Sequence, residues 1–165
     1  MAKLSLWKLV QQICQNNKMR LYFILFLISF FTTNVFAKTV EVEMWTNFNG
    51  EKKNQRYEPL IASIDIGDTI IWKSVEKSHN VEFMKGGVPE GVGDFKSAIS
   101  QDAEFTFTIP GIYAYICSPH KTGKMVGFVI VGNDKSNLEK IKELKYRGPT
   151  KKFAAQLIEE IEKNY

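Results

Sequence analysis

Between Ile112 and Val131 the chain reads as strand, tight loop, strand, and the loop carries a thiol, an imidazole and a thioether at C-x2-H-x4-M spacing: Cys117, His120 and Met125. Few features restrict a fold more. The apolar, β-rich runs Ile112–Cys117 and Met125–Val131 make Cys117 and Met125 the facing ends of neighbouring strands. Pro119 removes backbone freedom beside a donor, and Gly123 permits the turn that brings Met125 back toward Cys117.

A thiolate and two imidazoles in a plane, with a weak thioether above it, form the ligand set of an electron-transfer copper centre. Cu(I) favours soft donors and Cu(II) favours nitrogen, so a site that cycles between them is held near a compromise geometry. The loop supplies one imidazole, and the only other histidine in the chain is His79, in Lys77-Ser78-His79-Asn80-Val81-Glu82. Taken alone, a histidine at a strand edge reads more readily as a surface or capping residue than as a ligand. The downstream constellation makes it the missing nitrogen.

His79-Asn80-Val81-Glu82, Val88-Pro89-Glu90-Gly91 followed by Phe95-Lys96-Ser97, Pro110-Gly111-Ile112-Tyr113-Ala114-Tyr115-Ile116-Cys117-Ser118-Pro119-His120, and the closing Met125 together resemble the pseudoazurins, periplasmic blue-copper proteins of the cupredoxin family. The similarity runs over nearly all of the chain after residue 37, including the C-terminal tail. It implies one type 1 copper ion per monomer held by His79, Cys117, His120 and Met125. It also implies that Asn80 ties the two ligand loops together by hydrogen bonds, and that the glycine-rich segment Gly86–Gly93 packs beside the metal. Function, by the same resemblance, is single-electron carriage in the periplasm between redox partner proteins such as a nitrite reductase or a c-type cytochrome. The chain departs from the family between the second histidine and the methionine, where pseudoazurins are generally apolar and this chain has Lys121-Thr122-Gly123-Lys124. With Lys77, Lys85 and Lys96 these lysines form either a basic rim that steers an acidic partner or a merely solvated surface.

Residues 1–37 read as a secretory signal. Lys3, Lys8, Lys18 and Arg20 precede an apolar run over Leu21–Phe31 broken only by Ser29, and Val35-Phe36-Ala37 offers a cleavage site after Ala37. The alternative is an uncleaved anchor, although the run is shorter than the ~20 residues a spanning helix needs. With the signal removed, no membrane attachment is expected, and the 22 Lys+Arg and 18 Asp+Glu of the whole chain become 18 of each, because all four basic residues lost are unbalanced by any acid. Nucleic-acid binding then loses its electrostatic support. Cys14 leaves as well, so Cys117 is the lone thiol of an exported protein, a placement that metal ligation explains.

The fold expected is an all-β Greek-key sandwich of seven or eight strands, cupredoxin-like, over 38–133, with a helical extension over 134–165. Strands are expected at Thr39–Trp45, at Tyr57–Ile66 as one extended run, at Thr69–Trp72, at Asn80–Phe83, and at Ala103–Ile109 and Ile112–Cys117 as a hairpin turning at Pro110-Gly111. Ser136-Asn137-Leu138-Glu139 fits a capping box, and two α-helices follow, with stripes Leu138, Ile141, Leu144 and Phe153, Leu157, Ile158, Ile161 that pack on the sandwich. A monomer is expected.

Other classes fit less well. A Cys117–His nucleophile pair needs an orienting third group and a substrate cleft, and neither is visible, so no enzyme is expected. A storage or delivery protein would expose paired cysteines or clustered methionines, zinc seldom recruits a thioether, and a binuclear copper centre needs two cysteines.

Overall fold

Alternation at Thr39–Trp45 produces the first strand, with Val42 and Met44 buried and Thr39 and Glu41 facing solvent. The computed structural model describes residues 37–165 except 53, and before them only residues 8, 12, 15 and 16. The signal expected over residues 1–37 therefore lies, apart from those positions and Ala37, outside the described residues. Ala37–Tyr165 forms a compact unit of its own. Its strands are β1 (Thr39–Trp45), β2 (Arg56–Glu58), β3 (Ile61–Ile64), β4 (Thr69–Lys73), β5 (Glu82–Phe83), β6 (Ala103–Thr106), β7 (Gly111–Ile116) and β8 (Val126–Val131), followed by helices α1 (Leu138–Lys142) and α2 (Pro149–Asn164).

Two four-stranded sheets result, ordered β2-β1-β4-β6 and β3-β8-β7-β5. β1 runs parallel to β4 and β3 parallel to β8; the other neighbours are antiparallel. This is the expected cupredoxin-like sandwich with eight strands among the described residues. The space between the sheets is filled by Val42, Met44, Ile70, Trp72, Phe107, Tyr113, Tyr115 and Val129. A second apolar layer lies where Ile112, Ala114, Phe128 and Ile130 meet Ile141, Ala154, Leu157, Ile158 and Ile161. The helical stripe packs on the second sheet as its periodicity requires, each large aliphatic contributing roughly 1.5–3 kcal/mol over exposure. β8 is consequently buried at every residue, which accounts for its unbroken apolar run.

Two strand assignments need correction. The run Tyr57–Ile66 is two strands in different sheets: Tyr57 pairs with Met44, whereas Ile61 pairs with Phe128. Pro59 stands between them, and having no N–H to give a ladder it marks the crossing. The segments around Pro110-Gly111 are likewise no hairpin. β6 pairs with β4, and β7 pairs with β8 and β5 in the opposite sheet. Phe107 holds the first segment on its own side, donating to the Asp68 carbonyl at 2.8 Å and accepting from Gly67 at 2.7 Å. The Tyr113 hydroxyl then fastens the crossing by donating to the Ile109 carbonyl at 2.7 Å. A period of two describes strands equally well in either arrangement.

The capping box does not form. Asn137, not Ser136, precedes α1, and its side chain makes no cap. It is spent on β7 instead, accepting from Ile112 N–H at 2.9 Å and donating to the Ile112 carbonyl at 2.8 Å, which pins the tail to the sheet. The glycine-rich segment also differs from expectation. It runs along β7 away from Cys117, with the Gly87 carbonyl accepting from Ala114 at 2.7 Å. Pro89 reaches Gly111 at the opposite end, where φ is +129° and an added Cβ would lie 2.7 Å from Pro89 Cγ.

Gly127 faces Tyr115 across the β7–β8 ladder, and a Cβ there would stand 2.5 Å from both Cζ and the hydroxyl of that buried ring. Gly127→Ala is therefore expected to destabilise the fold by about 2 kcal/mol through overpacking, read as a lowered urea midpoint at unchanged slope.

Candidate metal centre

Three side chains from two separate segments converge at one end of the sandwich. Cys117 directly follows β7, and its N–H donates to the Met125 carbonyl at 3.2 Å, so the β7–β8 ladder extends to the mouth of the loop. Ser118–His120 forms a 3-10 turn with Pro119 inside it. His120 N–H donates to the Cys117 carbonyl at 3.0 Å, and Gly123 N–H donates to the His120 carbonyl at 2.7 Å. The left-handed residue of the turn is Lys124, at φ +69°, rather than Gly123. A Cβ at Gly123 would meet the mobile end of Gln55 at 2.7 Å and the His120 carbonyl at 3.3 Å. His79 arrives from the β4–β5 connection, its carbonyl accepting from Ser100 N–H at 2.8 Å while Ser97 bonds Val81 through both its N–H and Oγ.

His79 Nδ1 lies 3.8 Å and His120 Nδ1 3.3 Å from Cys117 Sγ, and the two Nδ1 atoms are 3.1 Å apart. One donor atom from each residue thus falls within 4.8 Å of the others. His79 and Cys117 are fully buried and His120 is half-buried. Met125 is buried too, in the same core cluster as Cys117. Asn80 joins the two ligand-bearing segments as the resemblance implied: its Oδ1 accepts from Ser118 N–H at 2.8 Å, and its Nδ2 donates to Ser118 Oγ at 3.1 Å and to the Ser97 carbonyl at 3.3 Å.

Burial dominates the electrostatics. It holds His79 at about 4, with the neighbouring His120 acting in the same direction and Glu76 opposing. His120 is lowered by burial as well. Burial pushes the Cys117 thiol up, while hydrogen bonds from the Asn80 and His120 amides pull it back. Two neutral imidazoles facing a buried sulfur fit a soft or borderline metal ion, which requires unprotonated rings and a thiolate.

The lowered histidine has a consequence for the metal-free protein. The unfolded ring takes up a proton near 6.5 and the folded ring only near 4, so the unfolded state binds more protons between those values. Stability from this residue is whole above pH 6.5 and drains as pH falls toward 4. The expected loss is on the order of 2–3 kcal/mol, to be followed by urea unfolding of metal-free protein across that window.

Several contributors escaped sequence reasoning. Thr46, at the exit of β1, places Oγ1 2.8 Å from His79 Nε2, and Glu76 in turn holds Thr46. No spacing rule links residues 46 and 79. Of the lysines singled out in the sequence, Lys96 pairs with Glu82 at 3.1 Å beside Ser118 of the ligand loop, whereas Lys85 follows Met84, whose amide bonds Ala114, in the direction away from Cys117. The helical tail adds to the loop lysines: Lys121 lines one cleft of about 210 Å³ with Lys145, Arg147, Met84 and Ile116, and Lys124 lines another with Lys152. Lys124 N–H donates to Thr150 Oγ1 at 2.9 Å, which docks the loop on α2.

Comparison with known proteins agrees with this geometry. The family described as copper binding proteins, plastocyanin/azurin family, matches residues 31–132. A pseudoazurin of Paracoccus pantotrophus is 42% identical over 110 residues, covering 67% of this chain and 74% of that protein. Among solved structures, a pseudoazurin from a Sinorhizobium species superposes with a TM-score of 0.72 at 34% identity, covering 78% of this chain and 99% of that one. The pseudoazurin of Methylobacterium extorquens AM1 gives 0.69 at 32% identity, with 74% and 98% covered.

Proposed function

The chain belongs to the plastocyanin/azurin family of copper-binding proteins and groups within it with the pseudoazurins, and we propose that, as a cupredoxin electron carrier with one type 1 copper, it holds the ion through His79, Cys117, His120 and Met125. The observation that carries the ligand assignment is the approach of both Nδ1 atoms to Cys117 Sγ, at 3.8 and 3.3 Å, inside a buried pocket. The bound ion supplies a one-electron couple. The chain would supply the rest: Cys117 would give the thiolate and Met125 a thioether sulfur, and the Asn80 bridge keeps the two ligand segments from moving apart. Burial of His79 and Cys117 keeps water away, and the half-buried His120 is the port for electrons. Adding one equivalent of Cu(II) to metal-free protein tests this directly. An intense visible band and a type 1 spin-resonance signal support it, and a colourless copper adduct would defeat it.

The location and partners follow the same reading. Residues 1–37 have the pattern of an export signal, which makes the periplasm the compartment of a monomeric mature form. No helix among the described residues is long and apolar enough to cross a membrane. Lys121, Lys124, Lys145, Arg147 and Lys152 gather around the ligand loop and suit an acidic redox partner, a nitrite reductase or c-type cytochrome. Electron-transfer rates with such a partner should fall as ionic strength rises. Lys121→Glu with Lys124→Glu is expected to slow association about tenfold at low salt and to flatten the salt dependence, measured by stopped-flow.

A further inference from the structure

We propose that Thr46 and Glu76 form an outer relay to the metal site: His79 Nε2–H donates to Thr46 Oγ1, and Glu76 holds Thr46 in place by accepting its backbone N–H. The relay rests on His79 being a ligand through Nδ1.

The two ring nitrogens of His79 face different partners. Nδ1 of His79 faces Cys117 and His120, and Nε2 lies 2.8 Å from Thr46 Oγ1. A hydroxyl can donate once while accepting from elsewhere. With Nδ1 turned toward Cys117 and His120, Nε2 carries the ring proton and the Thr46 hydroxyl oxygen is its acceptor. Glu76 is itself fixed by several donors. It accepts from Thr46 N–H, from Asn47 N–H at 2.9 Å and from Asn47 Nδ2 at 3.1 Å, and its own N–H donates to the Met44 carbonyl at 3.3 Å. The β1 exit and the His79 segment are thereby clamped as one piece.

Such an arrangement does two things. It selects the tautomer with a lone pair on Nδ1, and a held acceptor for the Nε2 proton makes the ring a stronger donor. A stronger nitrogen donor favours the oxidised ion over the reduced one. Thr46 and Glu76 are positioning residues that bias the potential downward.

The test compares Thr46→Val, which keeps shape but removes the hydroxyl, with Thr46→Ser and Glu76→Gln. In Thr46→Val the Cu(II) affinity is expected to fall about tenfold, and with Cu(I) affinity unchanged the potential rises by about 59 mV. Thr46→Ser restores the wild-type potential, and Glu76→Gln moves it in the same direction as Thr46→Val. Nitrogen resonances of the His79 ring in metal-free and Cu(I) protein show a protected Nε2–H in wild type and Thr46→Ser that is lost in Thr46→Val. A Thr46→Val protein with wild-type potential and an unchanged ring spectrum overturns the relay, as does a Thr46→Ser protein that behaves like Thr46→Val. Wild-type protein without the blue band defeats the ligand assignment instead, and the ring spectrum of metal-free protein still judges the hydrogen bond. Should Thr46→Val not fold, the potential and ring spectrum of Glu76→Gln decide.

Discussion

Cys117→Ala is expected to abolish the intense visible absorption completely and to weaken copper binding by more than the roughly 10–100-fold that an outer-sphere change costs. The band of a type 1 centre depends on the thiolate, and Cys117 is the free cysteine of the described residues. The variant keeps both imidazoles, whose Nδ1 atoms are 3.1 Å apart in this chain, so residual copper would bind two nitrogens and give a pale, ordinary Cu(II) spectrum. The fold itself should lose only about 1 kcal/mol in the metal-free state, because a small buried group is deleted next to an intact ladder. Optical and spin-resonance spectra of wild-type and variant protein, with zinc as a control, make the measurement. A persisting blue band in the variant would remove Cys117 from the site.

Asn80→Ala should give the largest loss of stability among residues around the site. Asn80 is fully buried, and its amide serves three partners: Ser118 N–H, Ser118 Oγ and the Ser97 carbonyl. Alanine leaves Ser118 N–H without its acceptor and opens a void. An unsatisfied buried donor costs about 1–3 kcal/mol, and the lost side-chain packing adds to it, for a total of about 3 kcal/mol. The Asn80 carbonyl keeps its bond from the Tyr57 hydroxyl at 2.7 Å, so the backbone stays in place while the link between ligand segments is cut. Denaturant unfolding of metal-free protein reads the stability. A broadened spin-resonance signal in the copper form reads the looser geometry. An Asn80→Ala protein as stable as wild type would show that water replaces the amide.

How much was legible depended on whether the information was local. The C-x2-H-x4-M loop keeps three candidate ligands within nine residues, so spacing alone placed them at one edge of a sheet, and the two-histidine count brought in His79. Helical periodicity at Phe153–Ile161 identified a buried stripe because a helix face is fixed by its own sequence. Sheet membership is different. The alternation of Ala103–Ile109 and Ile112–Cys117 is the same for a hairpin as for a crossing between layers, and the hydrogen bonds of Phe107 with Gly67 and Asp68 that decide between them involve residues about 40 positions away. Asn137 was read as part of a cap because its neighbours fit one, although its side chain is used by Ile112. Thr46 gave no signal at all, since a threonine at the end of a strand is unremarkable until His79 is seen beside it.

The burial of β7 and β8 on both faces means that the two halves of the site are moored unequally. Cys117 and Met125 grow out of a ladder sandwiched between an aromatic interior and the helices, whereas His79 hangs from a connection that leads into a strand of only two residues. The sulfur side is then the fixed jaw, and the pocket can relax only through the His79 connection or the half-buried His120 turn. On the His79 side, the Asn80 amide together with the Thr46 and Glu76 clamp is the latch that keeps the jaw shut.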